Sequence, residues 1–206
     1  MAINCNICNS SARLIYQGFP GYMEDSVFDI AKCDVCDVAF STKSNNLGII
    51  YDSIYTHAET LQGYSRYAFY ARQVLREKNP LSFLGECEEC YWAVSQLVDY
   101  WVQRNGRRPK ILEIGCGYGY TTYALRKRGF DATGMDISFK AVQKARERYG
   151  DYFQCCDVLE LAKASTDICD IVVMTELIEH IDDPTAFLIQ IAKVATVRWN
   201  HNCDDA

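Results

Sequence analysis

Residues 111–119 read ILEIGCGYG, an apolar run that meets one acidic residue, Glu113, and then three glycines at alternate positions, Gly115, Gly117 and Gly119. Glycines directly after a strand let the backbone approach a ligand and let a helix begin at once, its first N–H groups facing that ligand. The spacing selects among ligands. A dinucleotide loop, G-x-G-x-x-G, needs its third glycine three places after the second, where this chain has Tyr120, and the Lys-Ser/Thr pair of a P-loop is missing. A neutral or cationic ligand carrying a ribose fits this loop better than a pyrophosphate.

Outward from the loop, strand and helix patterns alternate after Pro109. KILEIG (110–115), DATGMDI (131–137), YFQCCD (152–157) and DIVVMTE (170–176) read as strands. Between them lie a helix closing at Gly129, a helix from the N-cap Ser138 to the C-cap Gly150, and a short helix VLELAKA (158–164). A further helix starts with Pro184 at its first position. Such alternation predicts a parallel α/β sheet with ligands at the carboxyl ends of the strands. The acids Glu113, Asp136, Asp157 and Glu176 all fall at those ends.

The segments LEIGCGYG (112–119), GMDIS (134–138), CCDVLEL (155–161) and DIVVMTELIEHIDDP (170–184) resemble the motifs of class I S-adenosylmethionine (SAM)-dependent methyltransferases, over residues 110 to about 196. The resemblance implies a Rossmann-like sheet, SAM as cofactor and methyl transfer by in-line displacement. It places the methionine ammonium near Glu113, the ribose hydroxyls on Asp136 with Ile137 beside it, and the adenine against Asp157 and the Val158 N–H. Gly115, Gly117, Gly119 and Glu176 complete the cofactor-facing set. In TELIEHIDDP, Glu176, Glu179 and His180 form E-x-x-E-H, similar to ubiquinone-pathway O-methyltransferases and small-RNA 2′-O-methyltransferases, where the motif helps hold a divalent metal. Three readings stay open: Glu179 and His180 orient the loop, His180 acts as general base, or the three side chains hold a cation such as Mg²⁺.

The N-terminal region carries a different signal. Cys5-x-x-Cys8 and Cys33-x-x-Cys36 are separated by 24 residues. Two tight C-x-x-C turns supply the four thiolates of a tetrahedral Zn²⁺ site, and a module of about 45 residues has too little core to fold without such a staple. Residues 1–46 are therefore expected to form a structural zinc ribbon, 47–108 a helical linker or lid, and 109–206 the SAM-binding domain. Cys87 and Cys90 fall at i, i+3 of one expected helix as surface and core, and the remaining cysteines as packing. The ribbon, IYDSIY (50–55) and the domain together are similar to zinc-ribbon methyltransferases of sugar and surface-polysaccharide biosynthesis. That likeness implies a small-molecule substrate such as a nucleotide-linked sugar or polysaccharide precursor.

The chain has 206 residues, 49% of them hydrophobic, enough for one medium domain plus a small module. It has no apolar run of membrane-spanning length and no signal-peptide pattern at its start, so a cytoplasmic protein without a membrane partner is expected. Net charge is −6, yet residues 101–150 hold 11 Lys/Arg against 4 Asp/Glu. Amphipathic helix faces account for that excess, and RNA binding stays open, making a zinc-ribbon RNA methyltransferase the alternative. A complete domain of the resembling class has seven strands in the order 3-2-1-4-5-7-6. Here RWNHNCDDA (198–206) follows the last helix, so the sheet is expected to stop after strand four. That would leave a sticky edge suited to a homodimer, or a catalytically incomplete SAM- and zinc-binding fragment.

Overall fold

The computed structural model describes residues 3–21, 27–42, 54–57, 60, 63–164 and 168–195. The N-terminal module is a four-stranded antiparallel sheet, β1 (Ile3–Asn4), β2 (Ser11–Pro20), β3 (Val27–Cys33) and β4 (Ala39–Ser41), in sequential order. The Ala12↔Cys33 pair in the β2–β3 register puts Cys33, the first ligand of its knuckle, at the end of β3. Most of the β2 surface is exposed, so hydrophobic burial alone cannot hold this module.

Three helices follow, α1 (Ser65–Gln73), α2 (Pro80–Cys87) and α3 (Glu89–Asn105). Gly106 closes α3 in the left-handed conformation, φ 66°, as its position before Pro109 predicts. One expectation fails here. Cys87 and Cys90 do not share a helix, because Glu88 between them is extended, φ −146° and ψ 142°. Its carboxylate accepts from Tyr70 Oη at 2.9 Å and pairs with Arg66 Nε at 3.0 Å, tertiary bonds that a continuous helix would not allow from this position.

The second sheet is parallel, in the order β7 (Phe153–Cys155), β6 (Asp131–Asp136), β5 (Lys110–Ile114), β8 (Ile171–Val173). In sequence order of these strands that is 3-2-1-4, the first part of the expected arrangement. Helices α4 (Tyr120–Lys127) and α5 (Phe139–Tyr149) lie on one face, α6 (Val158–Ala164) and α7 (Pro184–Ile191) on the other. Ser138 caps α5 by accepting from Ala141 N at 3.2 Å, and Asp183 caps α7 by accepting from Ala186 N at 2.8 Å. Ile111, Ala132, Phe153 and Val173 face α1–α5, while Leu112, Ile114 and Met135 face α6 and α7. A central strand buried on both faces reads as a continuous apolar run, which is why KILEI is legible.

Residues 63–106 are not a separate body. Ala71, Val74, Leu84, Val94 and Val98 belong to the same core as Ile111, Leu125 and Phe153, so α1–α3 pack into the α/β domain. Beyond α7 the chain returns to the sheet. Ile168 N donates to Val194 O at 2.8 Å and Cys169 pairs with Ala195 in a parallel bridge, beside the start of β8. The edge expected to be bare is met there, and the RWNHNCDDA tail lies outside the described residues.

Candidate functional site

The glycine loop after β5 is built by three left-handed residues, Gly115, Gly117 and Gly119, with φ of 72°, 49° and 76°. Two of them leave little room for a side chain. A Cβ on Gly117 would sit 2.7 Å from Tyr55 Oη, and one on Gly119 would sit 2.5 Å from Phe153, which lets α4 begin hard against β7. Gly115 N and Cys116 N donate to Met135 O at 2.8 and 3.0 Å, tying the loop to β6.

Asp136 ends β6, 7% exposed, and holds two backbone donors at once: Gly117 N to Oδ2 and Ser138 N to Oδ1, each at 2.8 Å. Burial raises its pKa against the lowering by the N–H groups of Ser138, Gly117 and Ile137. Each carboxylate oxygen keeps acceptor capacity for a ligand hydroxyl. Asp157 is exposed, and its Oδ1 accepts from Leu159 N at 2.8 Å at the start of α6. Ile137 is 56% exposed beside it, an apolar side chain left open at a strand end.

Glu113 is only 2% exposed, and the hydroxyl of Thr122 donates to its Oε2. Burial pushes its pKa up to about 7 despite the hydrogen bonds from Thr122 and Thr121. The folded pKa lies above the unfolded value, so the native state binds more protons between the two. Its contribution to stability is complete below about pH 4.5 and declines through about pH 7, by ~3 kcal/mol at most. Glu113→Gln is therefore expected to flatten the fall in stability between pH 5 and 7.5, measured by urea unfolding at several pH values. Equal pH slopes in both proteins would show that Glu113 is not the titrating group.

The loop after β8 carries the E-x-x-E-H residues, and the structure separates them. Glu176 has φ 54°, a conformation uncommon outside glycine, and its Oε2 accepts from Tyr67 Oη at 3.3 Å with Arg66 Nη2 at 3.8 Å. A 3₁₀ turn, Ile178–His180, follows. Glu179 Oε1 lies 3.9 Å from His180 Nε2. Among the described residues, the four cysteines form the only group of three or more ligand atoms drawn within 4.8 Å of one another, so Glu176, Glu179 and His180 do not converge on a cation position.

Two connected cavities meet at this loop. The larger, about 560 Å³, is lined by Ile114, Met135, Ile137, Val158, Leu177 and Phe187, a mainly apolar slot that also carries Asp136, Asp157, Glu176, Asp182 and Asp183. The smaller, about 110 Å³, is lined by Glu113, Thr175 and six tyrosines, Tyr55, Tyr64, Tyr67, Tyr91, Tyr118 and Tyr120. Tyr55, Gly115, Glu176 and His180 line both, whereas Glu179 lines neither. Tyr91 and Tyr120 are buried and bond to each other through their hydroxyls, but Tyr55 and Tyr67 reach the site from outside the sheet, and only the aromatic spacing of 54–70 hinted at them.

In the N-terminal module, where Asn6 between two of the cysteines donates its amide to Asp182 O at 3.4 Å, the cysteine cluster has the geometry of a metal centre. Sγ separations are 3.6 Å for Cys5–Cys36, 3.5 Å for Cys8–Cys33 and 3.6 Å for Cys8–Cys36. A tetrahedron of Zn–S bonds near 2.3 Å has edges of about 3.8 Å, so the four side chains fit Zn²⁺. The two knuckles repeat one another. Ile7 N donates to Cys5 Sγ and Val35 N to Cys33 Sγ, at 3.4 and 3.3 Å, while Asn9 and Asp37 directly after each C-x-x-C have φ of 57° and 63°. Asn and Asp tolerate that conformation best after glycine, which explains their matching places. Hydrogen bonds from Ser10 lower the Cys8 pKa, while burial and the neighbouring thiols raise that of Cys36. Four thiolates this close repel unless a cation joins them, so Cys33→Ser is expected to lower bound zinc well below about one per chain, read by metal analysis. Undiminished zinc would remove the assignment.

A doubly wound parallel sheet, a left-handed glycine loop at its first strand and acids on the next two strand ends define a nucleoside-binding α/β domain of the class I methyltransferase type. The family profile described as "Methyltransferase domain" matches residues 88–196, and the chain belongs to that family. Among curated relatives, the ubiquinone biosynthesis O-methyltransferase of Idiomarina loihiensis is 34% identical over 90 residues, 41% of this chain and 37% of that protein. The enzyme of the same name from Alkalilimnicola ehrlichii is 31% identical over 119 residues, 53% of this chain and 47% of that protein. The chain thus spans less than half the length of these relatives. Among solved structures, the plantazolicin methyltransferase BpumL in complex with SAH has 17% identity and a TM-score of 0.47, over 74% of this chain and 59% of that one. Monomeric WbdD has 19% identity and a TM-score of 0.47, over 53% and 30%. No helix among the described residues is long and apolar enough to cross a membrane.

Proposed function

We propose that the protein is a SAM-dependent methyltransferase that methylates a hydroxyl of a small molecule, a nucleotide-linked sugar or polysaccharide precursor being the acceptor that fits best. The observation that carries this is the junction of the two cavities at Gly115, Glu176 and His180, an apolar slot of about 560 Å³ meeting a tyrosine-lined chamber of about 110 Å³. The larger cavity suits SAM: Asp136 for the ribose, Asp157 and Val158 N–H for the adenine edge, Ile137 against the adenine face, and the Gly115–Gly117 loop beneath Tyr55 for the methionine portion. When bound, SAM supplies a methyl group already activated on a sulfonium.

What remains for the chain is to place the acceptor oxygen in line and to receive its proton. The chamber's tyrosine rings and hydroxyls suit a small hydroxylated ring, and the relatives named for O-methylation support oxygen as the acceptor atom. His180 is the proton acceptor in this reading, and Glu113 beneath the chamber faces the methionine ammonium. Binding a cation beside Glu113 favours its ionised form, so SAM binding near pH 7 releases a proton. Calorimetry of SAM, S-adenosylhomocysteine and NAD is the direct test. Micromolar binding of the first two with none of NAD is expected, and NAD binding as tight as SAM would overturn the proposal.

A further inference from the structure

Helix α5 carries Lys140, Lys144 and Arg148 at i, i+4 and i+8, one face of the helix. Like charges at that spacing destabilise a helix unless something compensates them. Among the described residues none of the three is in an ion pair, whereas their neighbour Arg146 is held by Phe153 O and Asp151. Lys144 and Arg148 line a third cavity, about 660 Å³, with Tyr55, His57, Tyr118 and one acid, Glu147, whose Oε1 already accepts from Gln143 at 2.9 Å.

Two details mark this cavity as built to receive an anion. Arg148 Nη1 is buried and meets no hydrogen-bond acceptor among the protein's atoms, so this donor is available to a water or an anion. Lys144 Nζ donates to Tyr55 O at 2.8 Å, which pins the turn at 54–57 and leaves two of its three donors for a ligand. The cavity also has a neighbour. Tyr55 and Tyr118, packed edge to face at 5.4 Å between ring centroids, separate it from the tyrosine-lined chamber and line both.

We propose that this cavity is an anion subsite that takes a phosphate or diphosphate group of the methyl acceptor, the guanidinium fork of Arg148 and the ammonium of Lys144 meeting its oxygens while the neutral ring sits beyond Tyr55 and Tyr118. The assignment to the acceptor rests on the methyltransferase reading, while the anion site stands on its own. The substrate class is then a phosphorylated or diphosphate-linked hydroxylated small molecule.

The experiment is calorimetric titration of the zinc-loaded chain with inorganic pyrophosphate at low salt, repeated for Arg148→Gln, Lys144→Gln and the double variant, with S-adenosylhomocysteine titrated into each sample. Wild type should bind pyrophosphate, each single change should weaken it at least about tenfold, and the double change should remove it, with S-adenosylhomocysteine affinity held within about twofold. Lys144 is partly exposed on α5, so its variant stays informative even if Arg148→Gln fails to fold. Wild type that ignores pyrophosphate, or variants that bind it equally, overturn the subsite and leave the methyltransferase proposal standing. Pyrophosphate binding without S-adenosylhomocysteine binding does the reverse. If a single-stranded RNA oligonucleotide binds far more tightly, with steep salt dependence and the same loss in the variants, the cavity belongs to a nucleic-acid track and the small-anion assignment falls.

Discussion

Asp136→Ala is expected to weaken SAM binding by about 10²–10⁴-fold, because a carboxylate that accepts both ribose hydroxyls contributes ~1.5–3 kcal/mol per charge-assisted bond. The structure also gives Asp136 a second task, since its two oxygens hold Gly117 N and Ser138 N at 2.8 Å. Removing the carboxylate leaves two buried N–H groups unmet and loosens the glycine loop as well as the ribose contact. Asp136→Asn separates the two effects: it keeps the side chain's shape and one acceptor oxygen, so it should fold closer to wild type yet still lose most of the affinity. Calorimetry with S-adenosylhomocysteine, paired with urea unfolding of each variant, reads both quantities. A folded Asp136→Asn protein with unchanged affinity would take the ribose away from this residue.

What the sequence made legible depended on whether a residue's job is local. Ser138 caps the helix that starts at Phe139, Gly106 ends α3, and the two C-x-x-C turns close on themselves, so spacing alone predicts them. The strand ends that hold Asp136 and Asp157 follow from a doubly buried sheet, whose apolar runs and turn residues mark where each strand stops. Long-range partners were hidden. Nothing near Gly117 announces that Tyr55, 62 positions earlier, lies over it, and nothing in GECEEC announces that Glu88 leaves the helix to meet Tyr70 and Arg66.

The place of Glu113 at the end of its strand is legible, but its hydrogen-bond partner is not. The structure ties it to Thr122, in the first turn of α4. The divalent-metal reading of E-x-x-E-H gains no support from the conformation of this loop. On a regular helix, residues at i, i+3 and i+4 share a face. Here Glu176 is left-handed and Ile178–His180 is a 3₁₀ turn, so Glu176 joins Tyr67 while Glu179 is left beside His180 at the surface.

His180→Ala is expected to lower turnover by about 10²–10⁴-fold, the usual contribution of a positioned general base, while SAM affinity stays within about twofold. His180 is the only residue of the E-x-x-E-H motif besides Glu176 that lines both cavities, which places it where an acceptor hydroxyl and a bound methyl donor would meet. Glu176 is engaged by Tyr67 and Arg66, so its expected role is to hold the strained loop, and Glu176→Gln should cost less in turnover than the histidine change. Glu179→Gln should cost least, since that side chain lines neither cavity. If a divalent cation activated the acceptor instead, all three changes would be equally damaging and a chelator that spares the zinc would stop the reaction. Single-turnover rates for the three variants, with and without added Mg²⁺, distinguish these outcomes. Wild-type rates in His180→Ala would move the proton acceptor to the tyrosine wall, where Tyr67 is next in line: it lines the chamber and bonds Glu176, but burial pushes its hydroxyl up to about 12, which makes it a weaker candidate near neutral pH than an imidazole.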